Sequence, residues 1–165
     1  MTETLAVRGG SPVVPKQLHV RWPVITAEDK AAVQAVLDSG IISGPYAPQV
    51  KALEEEWARY CGVRHALTTN SGTAALHTAV AAGGIGTGDQ VITTAFTFLA
   101  TALAVLQNNA VPVFVDIDPR TYNIDPNKIE ERITARTRAI IPVHIHGCPA
   151  DMDRILAIAR KHRLL

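Results

Sequence analysis

Residues 90–117 read QVITTAFTFLATALAVLQNNAVPVFVDI. The run opens on Gln90-Val91-Ile92-Thr93-Thr94, a short β-branched stretch without polar alternation, as expected of a strand covered on both faces. A helical stretch of Leu, Ala and Val follows over 98–108, and a valine-rich strand over 111–117 closes the unit. Strand, helix and strand joined this tightly form a βαβ unit, and such a unit dictates parallel pairing.

The same alternation extends in both directions. Upstream, 65–69 predicts a short strand, 70–73 a turn and 74–82 a helix of small residues. Downstream, Asp125-Pro126 has the cap-then-proline order of a helix start, with Ile129 and Ile133 behind it. A fourth strand is predicted over 138–143. A last helix begins near Asp151, with Met152, Ile155, Leu156 and Ala159 on one face. The fold class is therefore α/β, a mostly parallel sheet with flanking helices.

The N-terminal part reads differently. Residues 1–24 contain Pro12, Pro15 and Pro23 and predict an extended arm. Thr26 opens a helix, with Asp29 in capping-box position and Ile25 placed as a staple. Val33, Val36 and Leu37 supply its apolar face, and Gly40 ends it. A second helix carries Val50, Leu53 and Trp57 at helical spacing and ends at Gly62. At the other end, Leu164 and Leu165 follow the basic helix end Lys161-His162-Arg163. Two leucines there predict the start of another buried strand, so 25–165 is expected to be an incomplete domain.

Charge narrows the function classes. Lys and Arg number 16 against 15 Asp and Glu, a net charge of +1, so no polybasic footprint for nucleic acid is present. No apolar run reaches the roughly 18 residues of a membrane span. MTETLAVRGG has no apolar leader core, and a cytoplasmic protein is expected. With 47% hydrophobic and 19% charged residues, the composition is globular and not that of a disordered chain. Cys61 and Cys148 have no CxxC or Cys/His surroundings and read as reduced thiols.

Three segments could carry chemistry. Thr69-Asn70-Ser71-Gly72-Thr73-Ala74-Ala75-Leu76 falls where a strand is expected to turn into a helix. Unpaired N–H groups, the helix dipole and two hydroxyls there suit a phosphate, although an ordinary Ser- or Asn-capped helix start has the same residues. Thr94-Ala95-Phe96-Thr97-Phe98 lies at a strand's carboxyl end, where parallel sheets bind ligands. Two of the chain's three Phe residues fall there, available to stack on a flat ring or to fill a core. Pro142-Val143-His144-Ile145-His146-Gly147 ends the next strand. Histidines at spacing two on an extended chain face opposite ways, a poor metal site. Asp116 and Asp118 read as turn formers. The glycines over 83–88 follow a helix instead of a strand and form no dinucleotide fingerprint.

Together SGTAAL (71–76), GDQVITTAFTFLAT (88–101), VPVFVDIDPRTYNIDP (111–126) and IIPVHIHGCPADMD (140–153) resemble the sugar-aminotransferase family of DegT/DnrJ/StrS type. The opening LAVRGGSPVV (5–14) is also similar to that of many members. The resemblance implies the fold of the large domain of fold-type I pyridoxal-phosphate enzymes, of which this chain would be the N-terminal part. It implies pyridoxal 5'-phosphate as cofactor, with Gly72, Thr73 and Ala74 holding its phosphate, Ser71 flanking them, and Phe98 stacking on the pyridine ring. It implies amino transfer from glutamate or glutamine to a nucleotide-linked keto-sugar or a cyclitol ketone, by a homodimer in amino-sugar, antibiotic or polysaccharide biosynthesis.

The family's aspartate for the pyridine nitrogen and its cofactor-binding lysine are expected beyond Leu165. None of Lys16, Lys30, Lys51, Lys128 or Lys161 has that lysine's context, so no catalytic residue is assigned within the 165 residues. A same-family sugar dehydratase, with His in place of the lysine, and a non-catalytic truncated product are the alternatives.

Overall fold

The computed structural model describes residues 4–18 and 22–165. Residues 1–3 and 19–21 of the expected arm lie outside the described residues. The chain divides into two compact units, Met1–Ala66 and Leu67–Leu165.

In the first unit, two 3-10 turns, Ala6–Arg8 and Lys16–Leu18, precede two helices, α1 (Ala27–Ser39) and α2 (Pro48–Cys61). The expected capping box forms. The Asp29 N–H donates to Thr26 Oγ1 at 3.2 Å, and the Thr26 N–H donates to Asp29 Oδ2 at 2.7 Å. Gly40 and Gly62 close the two helices with φ of 70° and 68°, a left-handed conformation that glycine adopts without a Cβ clash. Among the described residues of this unit only Ala47 and Ala58 are buried.

The second unit holds α3 (Gly72–Ala82), β1 (Gln90–Thr94), α4 (Ala100–Gln107), β2 (Val111–Val115), β3 (Thr137–Ile140) and α5 (Met152–His162). Its strands form a parallel sheet in the order β2-β1-β3, so β1 is central and buried along its whole length. The two-residue alternation of strands separates two cores. Ile92 and Ile140 pack with Val115, Ile124, Ile129 and Ile155 on one face. Val91 and Ala139 pack with Val80, Ala104 and Val105 of α3 and α4 on the other.

Several expected elements differ. Residues 65–69 form no strand: the sheet is β2-β1-β3, and this segment belongs to none of its ladders. The Asp125-Pro126 start gives two 3-10 turns, Pro126–Lys128 and Glu130–Arg132, and no α-helix. Asp125 does cap, accepting from the Asn127 N–H at 3.0 Å, but the chain becomes extended again at Ile133. The expected strands over 111–117 and 138–143 are shorter, and residues 142–147 are not an extended run. Ile145–Gly147 is a tight turn with His146 at φ 49°. Beside β3, the Leu165 N–H donates to the Arg138 carbonyl at 3.0 Å, and the Ile140 N–H donates to the Leu165 carbonyl at 2.9 Å, while the Leu165 side chain is exposed and not buried as expected.

Candidate functional site

The second unit brings chemistry-bearing residues to one end of its sheet. α4 leaves the carboxyl end of β1 after a short connection. α3 runs against the strand direction, since its C-terminus leads through a short loop into the start of β1, and Gly86 of that loop lies beside Asn108 at the C-terminal end of α4. Both helices pack on the same face of the sheet. Their N-termini therefore point to the strands' carboxyl end, the ligand-binding end of an open parallel sheet.

The turn into α3 is built by Ser71. Its backbone is extended, and its Oγ accepts from the Ala74 N–H at 3.1 Å. The Ser71 carbonyl accepts from the Ala75 N–H at 3.0 Å and from Thr69 Oγ1 at 2.9 Å. The first N–H groups of a helix have no acceptor within the helix, so those of Gly72 and Thr73 stay available at the positive end of its dipole. Ser71 and Gly72 are exposed, Thr73 and Ala74 half-buried. A Cβ placed on Gly72 would meet nothing within 4 Å, so the approach to these donors is open. The arrangement is chemically an anion site.

Phe98 stands at the start of α4 and is 79% exposed. It is no core residue, so its ring face is accessible for stacking. Phe96 is also exposed, and its backbone N–H is held by Thr94 Oγ1 at 3.2 Å. Thr97 and Thr101 share a hydroxyl hydrogen bond of 2.9 Å across the first turn of α4. The donor set at the α3 turn and the accessible aromatic at α4 suit a phosphate attached to a planar ring.

The adjoining loops hold Asn123, which the sequence did not single out, beside His144 and Asp118, which it did. Asn123, only 3% exposed, accepts from the Ile145 N–H at 3.0 Å through Oδ1. Its Nδ2 donates to the carbonyls of Cys148 at 3.0 Å and Pro149 at 3.1 Å. It thus ties the β2 exit to the β3 exit. His144 has a structural bond, its Nδ1 accepting from the Ala150 N–H at 2.9 Å. Asp118 makes the expected turn, accepting from the Arg120 N–H at 2.9 Å. The Arg120 guanidinium, 2.7 Å away, lowers its carboxyl to about 2. Among the described residues no cluster of His, Cys, Asp and Glu could hold a metal ion.

The profile of the DegT/DnrJ/EryC1/StrS aminotransferase family matches residues 23–165. The chain belongs to that family. The L-glutamine:2-deoxy-scyllo-inosose aminotransferase of Streptomyces lividus is 45% identical over 169 residues, which cover 99% of this chain and 40% of that protein. The GDP-perosamine synthase of Caulobacter vibrioides is 44% identical, over 90% of this chain and 40% of that protein. The structure of NtdA from Bacillus subtilis with bound cofactor PMP superposes with a TM-score of 0.76 at 39% identity. That match covers 85% of this chain and 33% of the other. This family member thus spans about 40% of the length of those curated relatives.

Proposed function

We propose that this chain supplies the phosphate- and ring-binding side of a pyridoxal-phosphate-dependent aminotransferase. The whole protein would move an amino group from glutamate or glutamine to a cyclitol ketone or a nucleotide-linked keto-sugar. One observation carries the reading: the open anion site at the α3 turn begins on the same side of the sheet as the exposed Phe98. Relatives named for a cyclitol ketone and for a nucleotide-linked sugar support the two substrate classes.

In this reading 1–24 is an arm and 25–165 is part of the cofactor-binding large domain. The N–H groups of Gly72 and Thr73 and the Thr73 hydroxyl hold the cofactor phosphate, Ala74 lines the turn with its N–H held by the Ser71 hydroxyl, Ser71 shapes that turn, and Phe98 covers a face of the pyridine ring. When bound, pyridoxal phosphate supplies an electron sink for charge developing at the amino-bearing carbon. The chain's own residues anchor and orient it. A homodimer is the proposed assembly, which accords with the exposed Leu37, Leu53, Trp57 and Tyr60 on α1 and α2. A cytoplasmic location is proposed with it; no described helix is long and apolar enough to cross a membrane.

The test is cofactor binding by equilibrium dialysis, together with transamination from labelled glutamate or glutamine. Binding that weakens in Thr73→Val and Phe98→Ala is expected. Binding unaffected by either variant would remove these residues from the site. Reading the coding region past codon 165 decides the chemistry: a lysine in the family context is expected, and a histidine in its place would mean elimination of water instead of amination.

A further inference from the structure

Phe96, Tyr122 and His146 come from three separate segments and meet at the carboxyl end of the sheet. The Tyr122 ring lies 5.7 Å from that of Phe96, tilted by 44°, and the His146 ring lies 6.3 Å from it, edge-on at 74°. Phe96 also walls a cavity of about 280 Å³, between the ends of β1 and β2, with Thr94, Val115, Asp116 and Ile117. Tyr122 and His146 both have left-handed backbones, φ 61° and 49°. Non-glycine residues seldom take that conformation, and where a fold holds them so, function is a common reason. Here the hold is visible, because Asn123 follows Tyr122 and bonds the backbone on both sides of His146. Neither the Tyr122 hydroxyl nor the His146 ring nitrogens hydrogen-bond to another described residue. The result is a half-exposed aromatic wall with polar edges left over, beside a cavity lined also by Asp116, whose Oδ2 accepts from Lys128 Nζ at 3.2 Å.

We infer that this trio is a substrate-ring subsite, taking a six-membered polyhydroxylated ring with its C–H face against Phe96 and Tyr122. Aromatic faces accept C–H-rich surface, and the tyrosine hydroxyl and imidazole can pair with ring hydroxyls. The inference rests on the aminotransferase reading for its substrate class. It adds residues that the cofactor reading does not use. A free cyclitol and a nucleotide-linked sugar share this ring chemistry, so the experiment separates them.

The test is saturation-transfer NMR on the protein with scyllo-inosose in one sample and a dTDP-linked 4-keto-hexose in another, with cofactor dialysis on the same preparation. Transfer to ring C–H protons is expected from at least one probe. It should weaken by about tenfold in Phe96→Ala and Tyr122→Gly, while cofactor binding stays unchanged. Tyr122→Gly suits the left-handed backbone, so it reports on the ring even if Phe96→Ala fails to fold. Transfer to nucleotide protons alone, or ring transfer that survives in Tyr122→Gly, overturns the subsite. Cofactor binding with no sugar transfer also overturns it and leaves the aminotransferase reading intact. Sugar transfer without cofactor binding keeps the subsite and sinks that reading.

Discussion

The Ser71 hydroxyl accepts the Ala74 N–H at 3.1 Å, one turn into α3, and so occupies the first-turn donor that would otherwise compete with Gly72 and Thr73 for an anion. Ser71 is thereby a cap first and a phosphate neighbour second. Ser71→Ala is expected to lower stability by about 1 kcal/mol, read as a drop in thermal midpoint without ligand. Thr73→Val should leave that midpoint within about 0.5 kcal/mol of the parent and weaken cofactor phosphate binding roughly tenfold to a hundredfold. Equal thermal losses in both variants would contradict this division of labour.

Phe98 makes the complementary case. A side chain this exposed contributes little packing, so Phe98→Ala should unfold at nearly the same urea concentration as the parent. Loss of stacking should weaken cofactor binding about twofold to tenfold. A large stability loss with unchanged binding would make Phe98 structural.

How much of this was legible in the sequence follows from the range of the interactions. The capping box at Thr26 and Asp29 is local, and it formed as read. The start of α3 was legible because the Ser71 cap and the first N–H groups of the helix arise within one turn of chain. The aromatic trio was not, since Phe96, Tyr122 and His146 are brought together by parallel pairing and by the Asn123 clamp. The strand expected at 65–69 is in no ladder of the sheet, since β propensity is local and strand pairing is not. The strand expected over 138–143 implied an extended run at His144 and His146, and the left-handed His146 makes a tight loop there instead.

That left-handed turn gives its own prediction. Glycine takes φ near 49° without a Cβ clash, and the His146 ring is exposed. His146→Gly should be neutral or raise stability by up to about 1 kcal/mol, with relief of strain outweighing glycine's extra chain entropy. Chemical denaturation checks it, and a loss beyond about 1 kcal/mol would mean that the ring contact with Phe96 matters more than the strain.

Glu130 links a loop to the end of α5. One carboxylate oxygen takes hydrogen bonds from Lys161 Nζ at 2.7 Å and His162 Nε2 at 2.6 Å. Lys161, and then His162, lower its pKa from the ordinary value. A folded pKa that is depressed means stabilisation present above the ordinary glutamate range and lost as pH falls through the lower folded value. Glu130→Gln should therefore be less stable than the parent near neutral pH, with the gap closing as both are acidified. A gap that stays constant down to strongly acidic pH would show that the ion pairs contribute nothing.

Asn123 is the severest single test of the site's architecture. Truncation to Ala leaves one N–H and two carbonyls near Ile145, Cys148 and Pro149 without their partner. Half-buried groups stripped in this way cost about 1–3 kcal/mol, so Asn123→Ala should unfold at distinctly lower urea. Asn123→Asp keeps the Oδ1 acceptor but turns the donating amide into an oxygen facing two carbonyls. That repulsion raises the folded pKa of the new carboxyl, because only its protonated form can donate. A raised folded pKa puts the stabilisation below the unfolded value and removes it as pH rises through the folded one. Asn123→Asp should accordingly resemble the parent most closely in acid and fall toward Asn123→Ala at neutral pH, as urea titrations across that range would show. A variant equally stable at all pH values would mean that the two carbonyls do not need the Asn123 donor, and that the loop bearing His146 is held by something else.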